Sequence, residues 1–390
     1  MTSRLAPSDL KLALALRGIR VDPSARGPVT SRAAGSVDLA LPGGLRVAAA
    51  PTDASPWVLL GDRGRLVVRE ADGDRHSAVR VVAPPRFYAR HTSHGLPMWR
   101  IATVHGRQLV VTPHAGCGYS VLGTPCPFCI EGARPTDREP VASIPDVVEV
   151  VRAAFDEGAA ASVCFNSAFV EGEDGGLAFL LPYVEAVRRH FDTLVAAQLH
   201  PPRSDRWIDR AYALGIDAVS FNLELFDAGM LTRHCVGRAR YIGRERYLDA
   251  LGYAASIFPR GAVWSDLVMG LEPIAASLAG IARLTALGVV PVVTAARGAP
   301  LVVDPADVVP VLAALYRAGR HHGLPGAWVG DLAVGFAPFE ARHFADENPR
   351  LVVALHALAR SRVGAVAARY LARARRRLRV RSAGDVAAAH

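Results

Sequence analysis

Three of the chain's five cysteines, Cys117, Cys126 and Cys129, fall within the thirteen residues C-G-Y-S-V-L-G-T-P-C-P-F-C. Clustered thiolates, with the aromatic Phe128 inside a C-x-x-C unit, suit a soft metal centre. Three cysteines can hold a [4Fe–4S] cluster and leave one iron open to a non-protein ligand. A structural zinc site would need four closed ligands, with His114 as the available fourth. Such sites usually pair two C-x-x-C halves, and only one is present. A third reading has ordinary core cysteines. Gly116, Gly118, Gly123, Pro125 and Pro127 mark the segment as a loop, which argues against plain burial.

The elements that would carry this loop are legible along the chain. Gln108–Thr112 reads as an apolar strand leading into the cysteines, and Ile144–Phe155 as an amphipathic helix. Strands follow at Ser162–Phe165, Thr193–Leu199, Asp217–Leu223, Val263–Met269 and Val289–Thr294. Helices alternate with them, ending near His190 and covering Ser204–Leu214, Arg244–Ile257, Ile274–Leu287 and Pro305–His321. Six such units predict a parallel sheet, as a (βα)6 partial TIM-type barrel, with an open doubly wound sheet as the alternative. In both, working residues sit at the C-terminal ends of strands, where the cysteine loop falls.

Before this core, short β-like runs (Val37–Leu41, Trp57–Leu60, Leu66–Arg69, Ala78–Val82) predict a small β-rich N-terminal module over residues 1–98. The core is expected over 99–340, and a basic helix and Arg-rich tail over 341–390. The Leu-Ala-Leu-Ala-Leu stretch at 12–16 reads as an amphipathic helix capped by Ser8, not a signal peptide. No apolar run reaches membrane-spanning length. An odd cysteine count in a chain of 390 residues is no disulfide framework, so a cytoplasmic location is expected.

The net charge of +9 is concentrated at one end. Residues 357–390 hold nine arginines and one aspartate, and Lys11 is the only lysine. The expectation is a tail helix solvated or docked on the protein's own acidic surface. An RNA contact through the tail is the weaker alternative.

These motifs together resemble the radical S-adenosylmethionine (radical SAM) superfamily, whose usual C-x3-C-x2-C lies after strand one of a (βα)6 partial barrel. Here the spacing is C-x8-C-x2-C. The segments F-N-L-E (221–224), R-E-R-Y-L-D-A-L (244–251), S-D-L-V-M-G-L-E (265–272) and R-G-A-P-L (297–301) resemble the biotin-synthase-like branch over roughly 105–325. P-R-F-Y (85–88), with the wide cysteine gap, is similar to an uncharacterised group encoded beside nitrilases.

The resemblance implies that Cys117, Cys126 and Cys129 ligate three irons and that SAM chelates the fourth. It implies that Asn222 and Glu224 bind the SAM ribose, their i and i+2 side chains sharing one side of a strand. Phe128 is grouped with the cofactor-binding residues. Asn166 and Ser167 are the candidates for the SAM amine, ahead of Glu171 and Glu173. Arg246 would pair the SAM carboxylate or a substrate acid. Ser265 and the backbone at Arg297–Gly298 would line the nucleoside pocket. Cys164 and Cys235 are too few for a second cluster, so a single-cluster enzyme on a small-molecule substrate is expected, served by a flavodoxin- or ferredoxin-type electron donor. A radical SAM enzyme acting on RNA, and a non-catalytic zinc or iron–sulfur scaffold, are the alternatives.

Overall fold

The computed structural model describes residues 5–25, 35–62, 64–114, 116–129, 141–296, 303–324, 326, 328–330, 332–345, 347 and 350–387. Helix α1 (Pro7–Arg17) leads into β1 (Arg20–Val21), β2 (Val37–Ala40), β3 (Arg46–Ala49), β4 (Trp57–Asp62), β5 (Arg65–Glu70) and β6 (His76–Val81). These strands form one sheet in the order β1-β4-β5-β6-β2-β3. Val37, Leu39, Val47, Leu59 and Val68 are buried on its inner face, following the two-residue period of strands.

Helix α1 is not the amphipathic, Ser8-capped helix expected. Leu10, Ala13 and Leu14 pack on the N-terminal sheet, while Leu12 and Leu16 enter the main core. With both faces covered, no polar stripe is needed. The N-cap is Ala6, without a side-chain cap, and Ser8 is itself buried. The only lysine is fully buried here: Lys11 Nζ donates to Glu340 Oε2 (2.9 Å) and the Leu332 carbonyl (2.8 Å), and lies 4.6 Å from the Phe336 ring centre.

The core follows with α2 (Met98–Ile101), β7 (Ala102–His105), β8 (Gln108–Val111), α3 (Gly118–Val121), α4 (Ile144–Asp156), β9 (Ser162–Asn166), α5 (Leu177–His190), β10 (Leu194–Leu199), α6 (Arg206–Ala213) and β11 (Ala218–Phe221). Then come α7 (Ala228–His234), α8 (Val236–Tyr241), α9 (Arg244–Ile257), β12 (Val263–Met269), α10 (Ile274–Ala286), β13 (Val290–Ala295), α11 (Pro305–His321) and β14 (Gly335–Phe336). The second sheet runs β14-β13-β12-β11-β10-β9-β8-β7. Strands β8 to β13 are parallel, and β7 and β14 pair antiparallel at the edges. A doubly wound sheet reverses strand order at a switch point. Here the order never reverses, so the sheet is singly wound in a mixed α/β, half-barrel arrangement. The C-terminal ends of its parallel strands share one rim.

The joints expected at 98 and 340 fall inside packed structure. Phe87 and Met98 lie in the main core, and Glu157 accepts from the Arg86 and Phe87 amides (2.6 and 2.9 Å). The 3-10 helix Glu340–Ala345 buries Ala341 and Phe344 in that core. The chain ends in α12 (Arg350–Arg360) and α13 (Arg362–Ala387). Helix α13 docks on the body: Arg376 Nη1 donates to both Asp217 oxygens (3.0 and 2.9 Å), and Arg373 pairs with Asp192. No helix among the described residues is long and apolar enough to cross a membrane.

Candidate active site

The loop after β8 carries all three cysteines to the shared rim. Cys117 and Cys126 are buried and Cys129 is half-buried. The Cys129 amide donates to the Cys126 carbonyl (3.1 Å), closing the turn of the C-x-x-C unit. The loop is fastened from outside. Gly118 N donates to the Phe169 carbonyl (2.9 Å), and Tyr119 stacks on Phe169 with ring centres 3.9 Å apart. A side chain at Gly118 would put its Cβ 2.7 Å from that carbonyl oxygen, and one at Gly237 would meet the Tyr119 ring at 2.5 Å. Glycine is therefore required at both close approaches.

Cys117, Cys126 and Cys129 line one cavity of about 110 Å³. Asn166, Asn222 and Glu224 share it, at the ends of β9 and β11. Residues distant in sequence thus converge with the thiols. The strand β11 ends at Phe221, so strand alternation does not aim Asn222 and Glu224. Glu224 instead has φ 69°, a left-handed conformation rare for a non-glycine residue. Neighbouring β12 holds it there: Glu224 N donates to Asp266 O (2.9 Å), and Val268 N donates to Glu224 O (2.7 Å). Asn222 Nδ2 donates to Asp266 Oδ2 (3.0 Å), and Ser220 Oγ donates to Asn222 Oδ1 (2.5 Å).

Ser265 and Glu272 support this turn. Ser265 Oγ accepts from Leu223 N (3.0 Å), and Glu272 accepts from Phe226 N and Asp227 N (2.8 and 2.9 Å). Ser265 is fully buried and absent from the cavity lining, so it positions the turn.

The residue sequence reasoning missed is Arg238 of α8. It lines the cavity and donates to Glu224 Oε1 (3.0 Å), to the Tyr247 hydroxyl (3.0 Å) and to the Asn222 carbonyl. Its Nε is buried and has no hydrogen-bond partner among the described residues. Burial opposes its charge, but Tyr247 and Glu224 outweigh that and hold it protonated. Burial raises the Glu224 carboxyl to about 7, against the pull of Arg238, and Cys126 adds to the rise. The Tyr247 hydroxyl meets His200 Nδ1 at 2.8 Å. Burial, then Arg238, pushes His200 well down, so its imidazole is neutral. The Cys126 thiol is drawn down to about 6, first by its hydrogen bond with Cys235, with Arg238 assisting against burial. The same contact and burial push Cys235 up.

The remaining candidates sit elsewhere. Arg246 donates to the Pro202 carbonyl (2.7 Å) and Asp205 Oδ1 (2.6 Å), joining α9 to the segment before α6, and does not line the cavity. Its partners are supplied by its own fold. Ser167 is fully buried behind Asn166, its hydroxyl donating to the Ala168 carbonyl (2.9 Å). Phe128 packs half-buried against the main core. His114 Nε2 meets the Ser167 carbonyl at 2.7 Å and does not line the cavity. Glu171 and Glu173 are exposed. Cys164 is buried in β9, and burial pushes its thiol up to about 12. Arg297–Gly298 and the rest of 297–301 lie outside the described residues.

Among the described residues no group of three or more His, Cys, Asp or Glu side chains is placed to hold a single metal ion. A multinuclear cluster makes a different demand, because each thiolate takes a different metal atom. Three soft donors on one cavity, one already drawn toward thiolate, fit that demand.

No family model matches the chain, and no curated protein does. Among solved structures, methylornithine synthase (PylB) is similar at 11% identity over 68% of this chain and 86% of its own, with a TM-score of 0.45. A radical SAM methyltransferase from Sphaerobacter thermophilus is similar at 14% identity over 72% and 80%, with a TM-score of 0.39. Streptococcus suis SuiB is similar at 14% identity over 56% of this chain and 46% of its own, with a TM-score of 0.39. The match thus spans about half the length of SuiB.

Proposed function

We propose that the chain is a radical SAM enzyme on a (βα)6 partial barrel, with one [4Fe–4S] cluster and a small-molecule substrate. The observation that carries this is the meeting of Cys117, Cys126 and Cys129 with Asn222 and Glu224 on one buried cavity. When bound, the cluster and SAM supply one-electron cleavage of the sulfonium and a 5′-deoxyadenosyl radical that takes hydrogen from substrate.

The chain's own residues hold and orient. The three cysteines would ligate the irons. Asn222 and Glu224 would receive the ribose hydroxyls, on a turn fixed by Ser265, Asp266 and Glu272. Asn166 is the cavity-lining candidate for the SAM amine. The unpartnered Nε–H of Arg238 takes the carboxylate role first assigned to Arg246. His200, Tyr247 and Arg238 form a continuous polar chain that steadies the cavity wall. Burial of Cys164 and the placement of Cys235 beside Cys126 support a single cluster. Engagement of Arg373 and Arg376 with Asp192 and Asp217 supports a docked tail over an RNA anchor. The test is anaerobic iron loading of the wild type and of Cys117→Ala, Cys126→Ala and Cys129→Ala. About four irons per chain are expected in the wild type alone. A colourless protein holding one zinc would sink the reading.

A further inference from the structure

Three apolar side chains stand exposed beside the cysteine loop. Val121 is 70% exposed, Leu122 37% and Val236 42%. Single exposed apolar residues carry no information, but grouped ones mark contact surfaces. These stand on two elements in direct contact, because α8 packs on the loop. A Cβ on Gly237 would lie 2.5 Å from the Tyr119 ring and 2.9 Å from the Thr124 hydroxyl. Gly237 thus turns inward, while Val236 and Arg240, at i and i+4, share an outward face of α8.

The charges along α7 and α8 themselves are basic, with Asp227 and Glu245 at the two ends. Residues 117–129 contain no Asp, Glu, Lys, Arg or His. Residues 228–244 contain Arg233, Arg238, Arg240, Arg244 and His234, and no acidic residue. Arg233 and Arg240 are exposed. Apolar contacts rimmed by arginine suit an acidic protein partner. They do not suit single-stranded nucleic acid, which wants exposed aromatic platforms. The one aromatic of α8, Tyr241, is half-buried, 5.9 Å from the Phe169 ring and 6.2 Å from that of Tyr119.

We infer that Val121, Leu122, Val236 and Arg240 form the docking face for a small acidic electron-carrier protein. This rests on the function proposed above, since the cavity behind the face would need one electron per turnover. The carrier loses one electron and the cluster gains it, with no atoms exchanged. Val121 lies in the turn that begins at Cys117, so the face is next to the acceptor.

The probe is recombinant flavodoxin, titrated into the full-length protein calorimetrically at low and high salt. Val121→Glu and Arg240→Glu should each weaken binding roughly tenfold, and salt should weaken it further. Both variants should retain wild-type 5′-deoxyadenosine formation with dithionite, which needs no docking. Val236→Glu, from the neighbouring element, should repeat the pattern. Unchanged flavodoxin binding in all three variants would overturn the inference. So would a parallel loss of the dithionite rate, or RNA binding abolished by Arg240→Glu without flavodoxin binding. If the wild type forms no 5′-deoxyadenosine with dithionite, the enzyme reading fails, and the binding comparison still decides the surface.

Discussion

Glu224 makes the stability of the cofactor-free protein depend on pH in a way that can be calculated. Its carboxyl titrates from 4.5 when exposed to about 7 when folded, because burial outweighs Arg238. Between those values the folded state holds a proton that the unfolded state has released. Stability from this group is therefore full below pH 4.5 and falls as pH rises, levelling off above about 7. At ~1.36 kcal/mol for each pH unit, the gap amounts to roughly 3 kcal/mol. Glu224→Gln keeps the shape and an acceptor for Arg238 but cannot titrate. Urea unfolding of both proteins from pH 4 to 8 would give the difference in stability, in which groups not coupled to Glu224 cancel. The variant should gain on the wild type by roughly 3 kcal/mol across that window. A difference that stays flat with pH would refute the buried, raised carboxyl.

Other outcomes follow from single contacts. Lys11→Met strands the buried Glu340 carboxylate and should cost about 3–5 kcal/mol by urea unfolding, most of it recovered by adding Glu340→Gln. A loss below ~1 kcal/mol would count against a paired, buried lysine. Gly237→Ala drives a Cβ into Tyr119 and should cost about 1–3 kcal/mol, with reduced iron loading because Tyr119 follows Cys117. Ser265→Ala leaves the Leu223 amide without its acceptor and should cost about 1–3 kcal/mol, with weaker SAM binding in equilibrium dialysis. Unchanged SAM binding in that variant would separate the 222–227 turn from the cofactor.

The parallel core was largely legible because its strands are β-branched runs and its helices carry an apolar period. Arg244–Ile257, Val263–Met269 and Pro305–His321 fall where the pattern puts them. The edge strands β7 and β14 and the helices α7 and α8 were not, being four, two, seven and six residues long. A segment that short shows no period. Missing α8 hid Arg238, whose only sequence signal is its place in an arginine-rich stretch. Arg246 drew attention through its motif, but Asp205 and the Pro202 carbonyl, distant in sequence, occupy it. Asn222 and Glu224 were found for a reason the fold replaces: a turn held by β12, not strand alternation, brings both to the cavity. The burial of Lys11 was hidden because its partner, Glu340, lies at the other end of the chain.

The most direct test of the central claim is anaerobic incubation of the iron-loaded protein with SAM and dithionite, scored for 5′-deoxyadenosine. The account predicts deoxyadenosine and methionine in equal amounts from the wild type and none from Cys126→Ala. A fully iron-loaded wild type that leaves SAM intact would contradict it.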